Sequence, residues 1–293
     1  MKPLVYVIVL NWNAWEDTIE CLSSLQKLDY PNYVTVVVDN GSTDGSEDRI
    51  REAHPSITIL QTGENLGFAG GNNVGIRYAL ERGAEYVWLL NNDTVVDPKA
   101  LGSLVEEALS NTCIGVVGSK IYYYEPPDTI WFAGGTLNPL TGRTAHPGAG
   151  ERDVGQYDSP RDVDYIAGCS LLARKEMVNR IGLLDPNFFI YFEDLDWATR
   201  AKRDGWRVRY QPESKVWHKE SQAFGGAHSP GFCFYFSRSS MLYARKHRSP
   251  TLIALLLQVA LRQVLASLLR RNFAAARASI RGAKRGLTED GQK

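Results

Sequence analysis

The sequence predicts an α/β fold in which buried strands alternate with helices to build a parallel sheet. Two observations carry that expectation. Short apolar runs, rich in β-branched residues, recur through residues 1–90, and the segments between them place apolar residues at helical spacing. Continuous runs of this kind fit strands covered on both faces, and strand–helix alternation with short links reads as βαβ units.

In chain order, the strand candidates are Val5 to Leu10, Val34 to Val38, Ile57 to Leu60 and Tyr86 to Leu90. Between them, Trp15 to Leu28 sets Ile19, Leu22, Leu25 and Leu28 on one side of a helix. Ser46 to Ala53 is a shorter helix with Ser42 and Asp44 available as caps. Gly70 to Arg82 carries Val74 and Tyr78 at helical spacing, and Pro98 to Ser110 continues the alternation. Ile114 to Lys120 and Asp164 to Ala173 read as further strands, with a helix at Lys175 to Ile181 and another from Trp197 to Asp204. Residues 125–163 are rich in Gly, Pro and Asp and read as loops leaving the sheet.

Composition excludes several classes. At 293 residues, with 44% apolar and 23% charged side chains, the chain is an ordinary globular protein with room for one large domain and an appendage. Cys21, Cys113, Cys169 and Cys233 show no zinc spacing and fit reduced thiols. No signal-peptide pattern precedes the first strand, so a cytoplasmic protein is expected. The sequence lacks GxxxxGK[ST], and no GxGxxG follows the first strand, which removes the main support for a P-loop kinase or an ordinary Rossmann dehydrogenase. The net charge of zero conceals an asymmetry: Ser221 to Thr288 holds 11 Lys and Arg and no acid, whereas residues 1–220 hold 21 basic and 31 acidic side chains. An acidic body with a basic tail suggests an anionic surface as partner. Nucleic acid is not expected, because the acidic body would repel it and no recognition module is apparent.

Three polar clusters stand where ligands bind in open α/β sheets, outside the carboxyl ends of strands. Asp39 ends the second strand and opens the loop Asn40-Gly41-Ser42-Thr43-Asp44-Gly45. It can accept from a base or a sugar hydroxyl, or cap the next helix together with Asp44. Asn65-Leu66-Gly67-Phe68-Ala69-Gly70-Gly71-Asn72-Asn73 opens a helix whose amides could face an anionic oxygen. Asn91-Asn92-Asp93 follows the fourth strand, and Glu193-Asp194-Leu195-Asp196 and His218 follow later. The set suggests a metal-dependent transfer enzyme acting on a nucleotide-linked substrate.

These motifs resemble the inverting glycosyltransferases of family 2. The resemblance runs through Asn11-Trp12-Asn13, the Asp39 loop, the Asn65–Asn73 run, Leu90-Asn91-Asn92-Asp93-Thr94, Gly168-Cys169-Ser170, Phe189 to Trp197 and His218. It covers roughly residues 3–245 and is closest to the rhamnosyltransferase-like branch. It implies a GT-A fold: a mixed sheet with helices on both faces, here with a C-terminal amphipathic helical extension. Residues 1–245 would form the catalytic domain, with about 1–120 binding nucleotide sugar and 121–245 binding acceptor; 246–293 would be a basic helical tail.

The resemblance also assigns roles. Asp39 would recognise a pyrimidine base, with Asn11, Asn65, Gly71, Asn72 and Asn92 on the donor side. Asp93 would be the final carboxylate of an Asp-x-Asp metal motif whose first position here is Asn91, left to act through water. His218 would meet the metal or the diphosphate, with Lys219 a phosphate neighbour; a surface or capping histidine is the plain alternative. Mg²⁺ or Mn²⁺ would stabilise the leaving diphosphate, and a histidine nitrogen favours Mn²⁺. An inverting transfer needs a base on the acceptor side that the metal does not neutralise. Asp194 is the candidate, with Glu193 and Trp197 facing the acceptor and Asp196 capping the helix and pairing with Arg200. The expected donor is dTDP-rhamnose, with UDP-sugars open, and the acceptor a glycan or lipid-linked saccharide in polysaccharide or cell-wall assembly. A noncatalytic glycan- or nucleotide-binding protein and a nucleotidyltransferase are the alternatives.

The tail reads as helical from Pro250 to residue 286. Leu252, Leu255, Leu256, Val259, Leu265, Leu268 and Leu269 form an apolar stripe beside Arg270, Arg277, Arg281 and Lys284. No apolar run reaches the length of a membrane span. Such a helix suits an anionic membrane surface, at the inner face of the cytoplasmic membrane. It could instead pack on the catalytic part or join two copies.

Overall fold

A computed structural model describes residues 2–138, 144–220, 226, 228–247 and 250–288. The first half is the expected alternation. It runs β1 (Val5–Asn11), α1 (Trp15–Leu25), β2 (Tyr33–Asp39), α2 (Ser46–Ala53), β3 (Thr58–Gln61), α3 (Gly67–Glu81), β4 (Tyr86–Asn91), β5 (Thr94–Val96) and α4 (Ala100–Ser110). The second half runs β6 (Ile114–Tyr123), β7 (Ile130–Phe132), β8 (Thr136–Leu137), β9 (Thr144–Ala145), β10 (Arg161–Asp162), β11 (Ser170–Arg174), α5 (Lys175–Ile181), α6 (Glu193–Arg203) and β12 (Arg207–His218). It closes with α7 (Pro230–Lys246), α8 (Pro250–Leu269) and α9 (Phe273–Thr288).

The main sheet follows the order β10-β12-β6-β11-β4-β1-β2-β3, with β5 added on β12 and β7 on β6. β1 lies parallel to both β2 and β4, so the chain reverses its direction of growth at β1. β11 is antiparallel to β4 and β6, which makes the sheet mixed. Val5, Val7, Ile8, Val9, Val36, Val37, Val38, Trp88 and Leu89 are buried, as strands covered on both faces require. The core strand Trp88 keeps its indole N–H satisfied by donating to Ser170 Oγ.

Several boundaries move for physical reasons. α1 stops at Leu25 rather than Leu28 because the chain tightens there: Lys27 donates to Ser24 O and Leu28 to Leu25 O, three-residue turns that use up the last carbonyls. α3 begins three residues earlier than Gly70, at Gly67, since Asn65 Oδ1 accepts the Gly67 amide. Of the stretch expected as one strand from Asp164 to Ala173, Ser170 onward joins the main sheet as β11; Arg161–Asp162, before it, pairs with β12, and Tyr165 makes an isolated bridge to Gly135. Between β10 and β11 the chain crosses the sheet end and turns where Ser170 donates to Ala167 O. The long strand β12 was not anticipated; Glu213, Ser214 and Lys215 interrupt its apolar pattern at an irregularity in the β6 register. Asp44 accepts from Ser46 N and Oγ at the start of α2, whereas Ser42 turns back to accept from Asn11 and Asn13.

The tail is two helices rather than one. Arg271 takes a left-handed φ of 57°, and Asn272 Oδ1 accepts the Ala275 amide to start α9. α7, α8 and α9 pack on one another, so the helical unit begins at Pro230. The side chains of Leu252, Leu255, Leu256 and Val259 lie outside the described residues. All four cysteines are free thiols.

Asp196 fastens this unit to the body. Its buried carboxylate takes Arg200 at 2.8 Å, Lys246 at 2.9 Å and His247 at 2.9 Å. Burial opposes the charge, but His247, Arg200 and Lys246 outweigh it and bring the carboxyl down to about 2. A depressed carboxyl contributes stability that is present above its unfolded pKa, near 4, and is lost as pH falls toward the folded value. By linkage, Asp196→Asn should therefore cost about 2–3 kcal/mol at neutral pH. Urea midpoints at pH 7 and pH 3 check this: the gap between variant and parent should narrow at the lower pH.

Candidate active site

The carboxyl ends of β1, β2 and β4 meet at the reversal point of the sheet, where ligands enter open α/β folds. Two clefts open there. One, about 580 Å³, is lined by Trp12, Asn13, Asn40, Asn65, Asn92 and Phe189 among others. The other, about 540 Å³, is lined by aromatic residues including Trp131, Tyr165, Phe232 and Phe236, together with Glu193, Asp194 and His218. Phe68, Asn91, Asp93 and Ile190 line both, so Asp93 stands on the wall the clefts share.

Strand pairing explains how residues far apart in sequence gather. β5 pairs with the end of β12, setting Thr94 opposite His218, and the Lys219 amide donates to Asp93 O at 2.9 Å. His218 Nε2 therefore lies 3.2 Å from Asp93 Oδ1. The His218 ring is held edge-on against Trp131, centroids 4.7 Å apart, and Trp131 donates its N–H to Glu220. β11 brings Cys169 O to the Asn91 amide at 3.0 Å. One residue earlier, the Gly168 amide donates to Asp194 Oδ2 at 3.1 Å. Asp194 and Asp93 are thus fastened to the ends of neighbouring strands.

Asp194 is raised above the usual aspartate range by burial, partly offset by the amides of Gly168 and Leu195. Glu193 is raised further by burial and by the charges of Asp194 and Asp196. Its Oε2 is buried with no hydrogen-bond partner among the described residues. Both stand at the start of α6, presented by Tyr191 and Phe192, which adopt left-handed φ angles of 67° and 69°. Two successive bulky residues in that region are strained, and such strain clusters at functional sites.

The donor-side residues divide. Asn65 and Asn92 line the first cleft, and Asn92 donates to Thr18 Oγ1 at 3.0 Å. Asn11, Asp39, Gly71 and Asn72 stand behind its wall. Asp39 is fully buried, accepting from Asn11 Nδ2 at 2.8 Å and the Ser42 amide at 2.8 Å, so it ties down the loop after β2. Gly71 allows close packing, since a Cβ there would meet Leu10 Cδ1 at 2.5 Å. Asn72 donates to Phe68 O within α3. Trp197 also faces the interior: it is fully buried and donates to Gly182 O. Lys219 is held by Asp17 at 2.7 Å and by Glu20, which directs its ammonium toward α1. The aromatic lining Trp131, Tyr165, Phe232 and Phe236 was not singled out from the sequence. Nothing in its local pattern distinguishes it from core, and only the crossing of β7, the 163–169 segment and α7 assembles it.

Among the described residues, no group of three His, Cys, Asp or Glu side chains could hold a metal by itself. Asp93 and His218 supply two donors, and the second ring nitrogen of His218, Nδ1, is buried with no hydrogen-bond partner among the described residues. Mg²⁺-type ions are commonly held by one or two protein ligands, the rest coming from phosphate oxygens and water. The pair therefore fits a divalent ion that arrives with a diphosphate, with Asn91 beside it on the shared wall.

Comparison with known proteins gives the family and the fold. The glycosyl transferase family 2 model matches residues 6–182. The N-acetylglucosaminyl-diphospho-decaprenol L-rhamnosyltransferase of Mycobacterium tuberculosis is 25% identical over 244 residues, 77% of this chain and 79% of its own. The dTDP-rhamnosyl transferase RfbF of Shigella flexneri is 23% identical over 267 residues, 87% of this chain and 84% of its own. The mannosyltransferase PcManGT of Pyrobaculum calidifontis, in complex with GDP-Man and Mn²⁺, shares the fold with a TM-score of 0.61 at 19% identity, over 99% of this chain and 77% of its own.

Proposed function

The chain belongs to glycosyl transferase family 2, and from that premise we propose that it transfers rhamnose, with inversion, from dTDP-rhamnose to a saccharide carried on a lipid diphosphate. Its fold is GT-A, and transfer of a sugar from a nucleotide-linked donor is the activity of the family. The observation that carries the finer reading is the position of Asp93 on the wall between two clefts, with Asp194 on one side only. The donor nucleotide lies in the cleft of Trp12, Asn65 and Asn92. Its diphosphate reaches Asp93 and His218, the residues that would hold Mg²⁺ or Mn²⁺ with it. Bound there, the ion would neutralise charge on the departing diphosphate.

The acceptor sugar lies across Trp131, Tyr165, Phe232 and Phe236, whose faces suit the apolar face of a sugar ring. Asp194 accepts the proton of its hydroxyl as that oxygen attacks the anomeric carbon. The nucleoside diphosphate leaves on the opposite side, which inverts the configuration. Rhamnose is favoured because two relatives carry rhamnosyl transfer in their names. A panel of dTDP-, UDP- and GDP-sugars with Mn²⁺ and a short-chain prenyl-diphospho-N-acetylglucosamine tests the reading. Release of nucleoside diphosphate with dTDP-rhamnose is expected; release of pyrophosphate, or no turnover with any donor, would sink it.

The lipid part of the acceptor is matched by the tail. No helix among the described residues is long and apolar enough to cross a membrane. Yet Leu261, Leu265, Leu268, Leu269, Phe273 and Ile280 are exposed on α8 and α9. Arg262, Arg270, Arg271 and Arg277 are exposed among them. An apolar face ringed by cations suits anionic headgroups, each cation near the surface contributing about 1 kcal/mol. Leu269→Ser with Phe273→Ser should weaken flotation with phosphatidylglycerol vesicles several-fold, and added salt should weaken the parent. Unchanged flotation would assign this face to a protein contact.

A further inference from the structure

Resting on the sugar-transfer reading above, we propose that α9 is a strut that, through α7, holds the Tyr191–Phe192 turn and so positions Asp194. The tail would then be part of the catalytic architecture as well as a surface element.

Tyr191 and Phe192 occupy a left-handed conformation that neither side chain favours, and α6 starts immediately after them. Such a conformation persists only where its surroundings over-determine it. Much of that surrounding is α7, beside the Phe68 amide that donates to Phe189 O and the Gly168 amide that donates to Asp194. Phe232 meets Tyr191 edge-on at 5.2 Å between centroids, and Phe236 meets Phe192 at 5.3 Å. Ser239 Oγ donates to Ile190 O at 2.8 Å, and Arg238 Nη1 to Asn187 O at 2.7 Å. Tyr235 stacks on Phe189 at 4.8 Å. Lys246 bonds Asp185 and Asp196. Successive turns of one helix therefore touch the 185–192 loop along its length, and Asp196 beyond it.

α7 is fixed in turn by α9. The buried face of α9 is Ala275, Ala276, Ala278, Ser279, Gly282, Ala283 and Gly286. These small side chains let the helix backbones approach closely. A Cβ on Gly282 would meet Phe234 O at 2.1 Å, and one on Gly286 would meet Arg238 O at 2.2 Å. Both clashes are with α7 backbone, at and near the residues that hold the loop, so relief requires one helix to move. Arg245 Nη1 also donates to Leu287 O at 3.0 Å, closing the far end of the pair.

Of the residues lining the donor cleft, Phe189 and Ile190 lie on the loop that α7 holds and the others on α1, α3 and the ends of β1, β2, β3 and β4, so the strut should act mainly on turnover and little on nucleotide binding. Gly286→Ala is the first test and Ser239→Ala, which removes one bond to the loop without a clash, is the second. In each we expect kcat with dTDP-rhamnose and the lipid-linked acceptor to fall at least tenfold for Gly286→Ala and severalfold for Ser239→Ala. The Kd for dTDP with Mn²⁺, from calorimetry, should stay within twofold. Amide exchange should rise in residues 187–198 and remain at parental rates in β1, β2 and β4. Ser239→Thr, which keeps the hydroxyl, should recover part of the kcat. Parental kcat and parental exchange in residues 187–198 for both variants would overturn the strut. Exchange rising equally in β1, β2 and β4 would also overturn it, because it would mark general loss of stability. An inactive parent would instead reject the sugar-transfer reading, while exchange in residues 187–198 still decides whether α9 holds the turn.

Discussion

Asp194→Asn is expected to abolish turnover while leaving the protein folded and able to bind donor. A positioned general base contributes about 10²–10⁴ in rate, and the amide cannot accept the acceptor proton. The fall should appear in kcat and in kcat/KM alike, with the calorimetric Kd for donor unchanged. The fold should survive, because Asp194 is buried against its own charge: its carboxyl is raised above the usual range by burial, and only the Gly168 and Leu195 amides ease it. A neutral amide avoids that desolvation, and its carbonyl can keep one of the two bonds. The parental pH–rate profile carries a further sign. The base works when ionised, so the acid limb should rise with pH and turn above the ordinary aspartate value of about 3.9. Glu193, raised further and next to Asp194, keeps its proton to higher pH and leaves the negative charge on Asp194. Activity within a factor of two in Asp194→Asn would remove it as the base.

The sheet that supports this site was legible because its strands are buried on both faces. Val5 to Leu10 and Tyr86 to Leu90 announce themselves as uninterrupted apolar runs, and the polar residues following them fall where the sheet reverses. Asp93 could be singled out as a carboxylate just past the end of a buried strand, whereas Asp194 was preferred to its neighbours Glu193 and Asp196 through the family resemblance. What was not legible depends on contacts between distant segments. Asp39 reads as a ligand-facing acid, yet its oxygens accept from Asn11 and Ser42 behind the wall, a pairing set by parallel β1–β2 register. Trp197 follows the acidic cluster, but helical geometry turns it inward to Gly182. The aromatic cleft draws on β7, the 163–169 segment and α7, which no local period relates. β12 was hidden for a different reason: it is the strand that carries His218, and its polar residues fall where its register with β6 slips.

Asp93→Ala should lose metal-dependent donor binding, the second large effect. Among the described residues Asp93 is the only acid that lines both clefts, and the Lys219 amide holds its backbone carbonyl in place. An ion at a developing diphosphate charge stabilises it by several kcal/mol, so kcat/KM should fall by about 10²–10⁴. Unlike Asp194→Asn, this variant should also fail to bind dTDP more tightly when Mn²⁺ is added, which calorimetry reads without any turnover. His218→Ala separates the two donors. A nitrogen ligand favours Mn²⁺ over Mg²⁺, so losing it should shrink the Mn²⁺ advantage while leaving part of the Mg²⁺-supported rate. Trp131, edge-on against His218 at 4.7 Å between centroids, should then matter less in His218→Ala than in the parent, giving non-additive losses in the double variant. Equal Mn²⁺ enhancement of dTDP binding in Asp93→Ala and parent would place the ion elsewhere and leave Asp93 a structural residue of the wall.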